Sequence, residues 1–416
     1  MFKDLVSNFQ PSWQRYVDRG LLLSVALLIG LGLVIMMSAS VAVAERNYGD
    51  MYFFLKRQVL FLMLGLVVAY FIYRIKTSVW QRFGAKLLPI VLLLLVAVLL
   101  PVIGKEVNGS HRWINLGPIS LQVSEMAKLI MIMYMSGYLV RHGKELAHSN
   151  SYQPLIIPLL VLGLTDALLM LEPDFGSVVV LTATGIALLF LGGLKLTRLA
   201  MLFIGAVAVM IPLVMMGYRG ERVMAFLDPW SHASGKAYQT VHALMAVGDG
   251  GWFGAGLGAS VQKLFYLPEA HNDFIFAVLA EEMGFVGIVI ILFLYAWFVQ
   301  RAFVIGFRAD RANLNYAAYL AYGIGFWVGF QVLFHIGVNL ALLPPKGLTL
   351  PLISYGGSSL LVTLMAIALL MRVHRDTQIA LFGVSDKEAQ KQRQRTLKQT
   401  RRTNRGKGKS GASYAR

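Results

Sequence analysis

Residues 20–43 read GLLLSVALLIGLGLVIMMSASVAV, an apolar run without a single charged side chain. A helix needs about 20 residues to cross the roughly 30 Å of bilayer hydrocarbon, so this stretch can span a membrane by itself. It is longer than the apolar core of a cleaved leader, and more such runs follow it, so it is read as a retained helix. Working outward, nine further runs qualify: 56–73, 84–104, 124–140, 154–171, 175–192, 197–217, 274–300, 314–342 and 352–373. The fourth and sixth are slightly short. The expected fold is all-α: a polytopic membrane protein with about ten transmembrane helices and a large extracytoplasmic loop before the eighth span.

Composition supports this reading. Hydrophobic residues make up 57% of the 416, and charged residues only 14%. Mean hydropathy is +0.64. A soluble domain carries about 25% charged residues. The chain has no cysteine, which excludes a disulfide framework, thiolate catalysis and cysteine-ligated metal. The formal net charge of +17 suggests nucleic acid at first sight, but the location of the charge argues against it. From Arg372 to Arg416 thirteen Lys/Arg face three Asp/Glu. The tail sequence KQRQRTLKQTRRTNRGKGKSG has no apolar periodicity and reads as a disordered segment that fixes topology and touches anionic lipid.

Basic residues in the short loops orient the spans. With the amino terminus inside, the inner loops carry Arg74, Lys76, Arg82 and Lys86, then Arg141 and Lys144, Lys195 and Arg198, and finally Arg301, Arg308 and Arg311. Both termini are then cytoplasmic. Lys56 and Arg57, at the outer end of the second span, run against the rule. The outer segments are 105–123, 218–273 and 343–351. The organisation is a short cytoplasmic segment 1–19, a membrane domain 20–373 containing the outer loop 218–273, and a tail 374–416. Any chemistry must therefore occur at the outer membrane face, on material the membrane delivers.

Ionisable residues inside spans are costly and mark function by default. Glu125 and Lys128 share one helix face at i, i+3 and can pair. Asp166 lies within the fifth span, where a hydrogen bond between helices is the ordinary explanation. Glu172 and Asp174 sit in the turn between the fifth and sixth spans, with Asp174 placed as an N-cap. The densest cluster is YLPEAHNDFIFAVLAEE, Tyr266–Glu282. Asp273 is expected at a helix N-terminus, where the dipole favours a carboxylate. Glu281 and Glu282 should lie two turns deeper, about 12 Å at 1.5 Å per residue, and need partners. The glycines Gly254, Gly256 and Gly258 follow no strand, so a dinucleotide fold is rejected. They are expected to let backbone amides approach a sugar or phosphate. In LPPKGLTLPLISYGGSS, Leu343–Ser359, three prolines break helix. Such backbone at membrane depth belongs around a cavity, and Lys346 could face a phosphate there.

Four segments carry a family resemblance: HRWINLGPISLQVSEMAK (111–128), LEPDFGSVVVL (171–181), GLGASVQKLFYLPEAHNDFIFAVLAEE (256–282) and KGLTLPLISYGGSS (346–359). In this order they resemble the SEDS family (shape, elongation, division and sporulation), over about Asp18–Arg375. Ser260-Val261-Gln262-Lys263 followed by LPEAH looks like the division branch rather than the elongation branch. Asn272 stands where threonine is common in the family.

The resemblance implies a peptidoglycan glycosyltransferase of the bacterial inner membrane at the division septum. It would polymerise lipid II and release undecaprenyl pyrophosphate. The implied partners are undecaprenyl-linked glycan, a class B penicillin-binding protein that crosslinks the strands, and divisome regulators, with no nucleic acid. Asp273 is the implied catalytic base. Arg112, Lys263, Glu269, His271, Lys346 and Ser354 are the candidate substrate-binding residues. Glu125, Lys128, Asp174, Glu281, Gly356, Gly357 and Ser358 are expected to shape the cavity. No metal ligands and no cofactor are assigned, with a divalent cation left open. A flippase for the same lipid, an elongation-type polymerase and a scaffold remain the alternatives.

The topology is directly testable. A reporter fused at Gly235 should be active only in an extracytoplasmic assay, because the positive charge lies on the opposite side. A cytoplasmic signal there would overturn the ten-span reading.

Overall fold

The computed structural model describes residues 16–100, 104–107, 110–116, 119–148, 151–215, 226–235 and 237–382. The segment 1–15, the tail from 383 onward and part of the loop 218–273 lie outside the described residues. Eleven helices organise the rest. In chain order, α1 is Arg19–Tyr48, α2 Phe53–Arg74, α3 Thr77–Val98, α4 Val123–His148, α5 Gln153–Leu171, α6 Phe175–Leu191, α7 Leu196–Met215, α8 Tyr238–Asp249, α9 Ile275–Arg311 and α10 Asn315–Asn339. The last, α11, is Gly357–Phe382. Eight of these are long and apolar enough to cross a membrane among the described residues, and α6 and the first part of α7 are shorter apolar helices. Each of the ten expected intervals thus holds an apolar helix.

Three boundaries differ from the hydropathy reading. α3 begins at Thr77, not 84, because Asp376 caps it by accepting from Thr77 N at 2.9 Å and Thr77 Oγ1 at 2.8 Å. α4 is not short, since it runs 26 residues. α11 starts at Gly357, and residues 351–355 form turns and bends rather than helix. A fourth difference is a three-stranded antiparallel sheet in the outer segment, which departs from the all-α expectation. Strand β1 is Gly104–Val107, β2 Ser110–Leu116 and β3 Ile119–Gln122, in the order β1-β2-β3. Ser358 at the start of α11 pins β3, donating to Ser120 O at 2.8 Å and accepting from Gln122 N at 3.0 Å.

Burial separates interior helices from lipid-facing ones. The apolar windows of α4 and α11 are 89% buried, against 22% for α2 and 28% for α3. Interior position lets α4 carry charge. Lys128 Nζ donates to Glu125 Oε1 at 2.8 Å and to Gln331 Oε1 at 2.9 Å. Gln331 in turn donates to Thr349 O at 2.9 Å. The expected i, i+3 pair is therefore formed and tied to the 346–356 segment.

Two polar layers bracket the apolar zone. At one end Asp18 accepts from Leu21 N at 2.9 Å, capping α1, and pairs with Arg301 at 2.5 Å. At the other, Lys263 Nζ binds Glu282 Oε1 at 2.6 Å and Ser38 Oγ at 2.8 Å. Asp18 and Ser38 bound one stretch of α1 whose length is about 30 Å at 1.5 Å per residue, the thickness of bilayer hydrocarbon.

α9 is broken at Gly284, with φ 63° and ψ −164°. The glycine-rich loop fills the break with its own backbone. Ala255 N donates to Glu281 O at 2.9 Å, Gly256 N to Glu282 O at 3.1 Å, Phe285 N to Gly251 O at 2.9 Å and Val286 N to Trp252 O at 3.1 Å. The amides of Ala255 and Gly256 are thus used on the helix, which corrects the expectation that this loop serves a sugar or phosphate. A Cβ on Gly254 would sit 2.2 Å from Glu282 O, and one on Gly284 2.3 Å from Gly254 N. Both clashes are with backbone, which has no flexible end to move aside.

Gly284→Ala and Gly254→Ala should each destabilise the protein, by on the order of 1–3 kcal/mol for the backbone conformation alone. Gly30→Ala is the control, since Gly30 lies in α1 with nothing within 4 Å of the added methyl. It should leave thermal stability unchanged or raise it, as Ala favours helix. Melting of purified protein in detergent reads all three.

Candidate active site at the loop end

The segment 266–274 between the glycine loop and α9 positions the central carboxylate. Glu269, at φ 57°, turns the chain. Its carbonyl accepts from Asn272 N at 3.0 Å, Asp273 N at 3.1 Å and Phe274 N at 3.4 Å. Asn339, at the end of α10, donates to Asp273 O at 3.1 Å and accepts from Ala277 N at 3.1 Å. From the other side Ser354 Oγ donates to Asn272 O at 2.7 Å, and Tyr355 N donates to His271 O at 2.9 Å. Gln58 of α2 holds Ser354 O at 3.1 Å. Three elements distant in sequence thus fix one short turn.

Asp273 lies on this turn, half-buried. It lies just before α9, near the expected helix N-terminus, but does not cap it. The helix starts at Ile275 and no side chain caps it at Phe274. None of the hydrogen bonds among the described residues ends on the Asp273 carboxylate. A carboxylate that is buried without donors is pushed toward its neutral form. Burial raises Asp273 to about 7, and the charges of Glu269 and Asp174 add to this against the opposing charge of Arg112. Gly347 leaves room beside it, since a Cβ there would stand 3.1 Å from Asp273 Oδ2.

Arg112, on β2, forks onto the turn between α5 and α6. Its Nε donates to Glu172 O at 2.8 Å and one terminal nitrogen to Pro173 O at 2.9 Å. Asp174 is the expected N-cap, accepting from Ser177 N at 3.2 Å and Ser177 Oγ at 2.8 Å. The Glu172 carboxyl is fully buried and neither oxygen has a partner. Burial, then the neighbouring Asp174, push it up to about 8 against Arg112. Lys346 Nζ lies 4.9 Å from the centroid of the Phe175 ring, at the start of α6.

Other expected site residues hold the scaffold. Glu281 accepts from Ser260 Oγ at 2.5 Å and Val261 N at 2.7 Å, closing the turn that leads to Lys263. Lys263, expected to bind an anion, is neutralised by Glu282 and buried with it. Ser354, expected on substrate, spends its hydroxyl joining two loops. Gly356 and Gly357 allow close packing, with a Cβ on Gly357 only 2.5 Å from the Phe61 ring. His271 is buried against Phe54 with Nδ1 unpartnered, and burial pushes its pKa down against the charge of Glu269, itself exposed. Among the described residues, no group of three or more metal-binding side chains converges. Sequence reading missed Asn339, Gln58, Gln331 and Ser38. The only signal they carried was a polar residue inside an apolar run.

An integral membrane protein with helices packed around buried charge, and a carboxylate turn caught between loops at one end, is the class this architecture defines. The chain belongs to the FtsW/RodA/SpoVE family of cell cycle proteins, whose model matches residues 19–379. It is 51% identical to the probable peptidoglycan glycosyltransferase FtsW of Thioalkalivibrio sulfidiphilus (strain HL-EbGR7), over 90% of this chain and 94% of that one. Identity to the protein of the same description from Coxiella burnetii is 45%, over 88% and 98%. Among solved structures, one chain of a peptidoglycan synthase complex, studied for its coordination of polymerization and crosslinking, superposes with TM-score 0.71. It is 31% identical, over 87% of this chain and 98% of that one. The rod shape determining protein RodA of Thermus thermophilus gives TM-score 0.62 at 30% identity, over 86% and 97%.

A buried ion pair loses most when only one partner is removed. Lys263→Met should cost about 3–5 kcal/mol of stability, whereas Lys263→Met combined with Glu282→Gln should regain most of it. Thermal melting of the single and double variants checks this. A single variant that melts like wild type would return Lys263 to the list of anion-binding residues.

Proposed function

We propose that the protein is a peptidoglycan glycosyltransferase that polymerises lipid II at the outer face of the bacterial cytoplasmic membrane. The relatives named FtsW support the division septum as its place, with a class B penicillin-binding protein and divisome regulators as partners. Both termini are cytoplasmic in this reading. Residues 20–373 form the catalytic membrane domain with 218–273 as its outer loop, and α11 carries that domain on to Phe382, so the basic tail begins after it.

The reaction joins the 4-hydroxyl of one lipid-linked sugar to the anomeric carbon of another. The new C–O bond forms as the bond to the diphosphate oxygen breaks. The hydroxyl proton goes to a base, and the electron pair leaves with undecaprenyl pyrophosphate. A sugar hydroxyl is a weak nucleophile until its proton is drawn away in the transition state. The observation that carries the proposal is the Asp273 carboxylate, which has no described hydrogen-bond donor and is raised to about 7 by burial and Glu269. A base poised near the working pH combines the correct protonation state with driving force for proton transfer. Arg112, whose charge acts on Asp273, and Lys346, the neighbour of the Gly347 that stands beside it, are suited to the leaving diphosphate. Glu269 and His271 shape the same turn.

Asp273→Asn keeps size and polarity but removes the base. Glycan formation from purified lipid II should fall by at least about 10²-fold, with insertion and thermal stability preserved. Activity near wild type would move the base elsewhere. In wild type, kcat/KM should rise with pH through about 7 and then level off, because only the deprotonated carboxylate accepts a proton. Glycan product from lipid II also separates polymerisation from simple transport of that lipid.

A further inference from the structure

The Asp273 carboxylate accepts no hydrogen bond among the described residues, so its position is set through its backbone. The side chain that holds this backbone comes from α10. Asn339 is fully buried, and every polar atom of its amide is used. Nδ2 donates to Asp273 O at 3.1 Å and to His335 O at 2.9 Å, and Oδ1 accepts from Ala277 N at 3.1 Å. The Ala277 amide is shared with Phe274 O at 3.0 Å. Carbonyl oxygens only accept, so the nitrogen must face them and the amide has one orientation. A leucine of similar size offers none of these bonds.

Asn339 is the last of three polar residues spaced four apart on α10, Gln331, His335 and Asn339, which places them on one face. All three are buried. Gln331 Nε2 donates to Thr349 O at 2.9 Å, and His335 Nδ1 donates to Leu348 O at 2.6 Å. A carbonyl partner fixes the proton of His335 on Nδ1. The adjoining Gly347 faces the Asp273 carboxylate, with 3.1 Å between Oδ2 and a Cβ built there. One face of α10 thus holds both walls of the site: the turn that bears Asp273 and the segment that bears Lys346 and Gly347.

We propose that Asn339 is a positioning residue for Asp273: with His335 and Gln331 it sets the carboxylate at a fixed place beside Gly347 and limits its exposure to water. The inference rests on the polymerase reading, in which Asp273 is the base. Proton transfer needs the heavy atoms within about 3 Å, and a misplacement of about 1 Å costs about 10²-fold. Release of the turn has a second consequence. Burial is the largest cause that raises Asp273 to about 7, followed by the charge of Glu269, with Arg112 opposing and Asp174 adding. A turn freed from Asn339 exposes the carboxylate, relieves part of its desolvation and lowers that value. The plain alternative is a structural tie between α10 and α9. Loss of such a tie changes how much protein is folded and leaves the titration of the folded fraction where it was.

The test uses full-length protein with purified lipid II, and reads kcat, KM, the pH dependence of kcat/KM and thermal melting. Asn339→Leu should lose at least about tenfold in kcat, with KM within about twofold of wild type. Its rise of kcat/KM with pH should move below the wild-type position near 7. Asn339→Gln keeps the amide but carries it one methylene further out, so its kcat should fall between the two. An Asn339→Leu protein with wild-type kcat overturns the proposal. So does one whose kcat falls while the rise stays in place, which is the mark of a structural tie. If Asn339→Leu does not fold, Asn339→Gln decides instead: a lowered kcat with a displaced rise supports the role, and any other result overturns it. A wild type without a rise near 7 overturns the assignment of Asp273 as base and the Asn339 role with it. A wild-type rise that the Asn339 variants leave unmoved removes the Asn339 role alone.

Discussion

Two adjacent buried carboxylates, Glu281 and Glu282, set the terms for the rest of the loop end. Removing charge from water is expensive unless partners are supplied. Glu281 recruits the 260–262 turn and Glu282 recruits Lys263 and Ser38. Their carbonyls receive the glycine loop. The chain then has only the short stretch 264–274 in which to return to α9, and Asp273 lies within it. The position of the central carboxylate is thus inherited from the need to satisfy two others. Those two are spent on structure, whereas the Asp273 carboxylate accepts no hydrogen bond among the described residues.

Charge around that carboxylate is unbalanced in a useful way. The charges of Glu269 and Asp174 act on it, Asp174 acts also on Glu172, and Arg112 is the cation that opposes them at both carboxyls. Arg112 is itself held by two carbonyls rather than by a carboxylate, so its charge is not cancelled. A site of this kind raises the Asp273 and Glu172 carboxyls above the usual carboxylate range and still offers a cation to an incoming anion. The charge distribution thus suits a substrate that brings a diphosphate and must lose a proton.

Much of this was legible in the sequence. The spans followed from hydropathy because α1, α2 and α5 are apolar nearly all round. Asp174 as a cap and Glu125 with Lys128 as a pair are local in sequence, so spacing alone revealed them. The failures have a common cause. The break at Gly284 sits inside an apolar run, and what creates it is a loop some thirty residues upstream. The partner of Lys263 depends on how α9 turns, so an exposed anion-binding lysine and a buried counter-ion read alike. The small sheet was hidden by its short strands, although Asn108-Gly109 is a hairpin-turn sequence.

The pairing of Ser38 with Lys263 and Glu282 bears on how the chain is made. Ser38 precedes these partners by 225 and 244 residues. During synthesis the first helix must wait in the lipid while most of the protein emerges. A hydroxyl tolerates that wait, as it can bond within its own helix, whereas a bare charge would not. The two charges come as a pair only 19 residues apart, and can cancel each other as they arrive. Contacts of such long range form late and slowly. Biogenesis is therefore eased by placing the neutral member of the triad first and the charged members last.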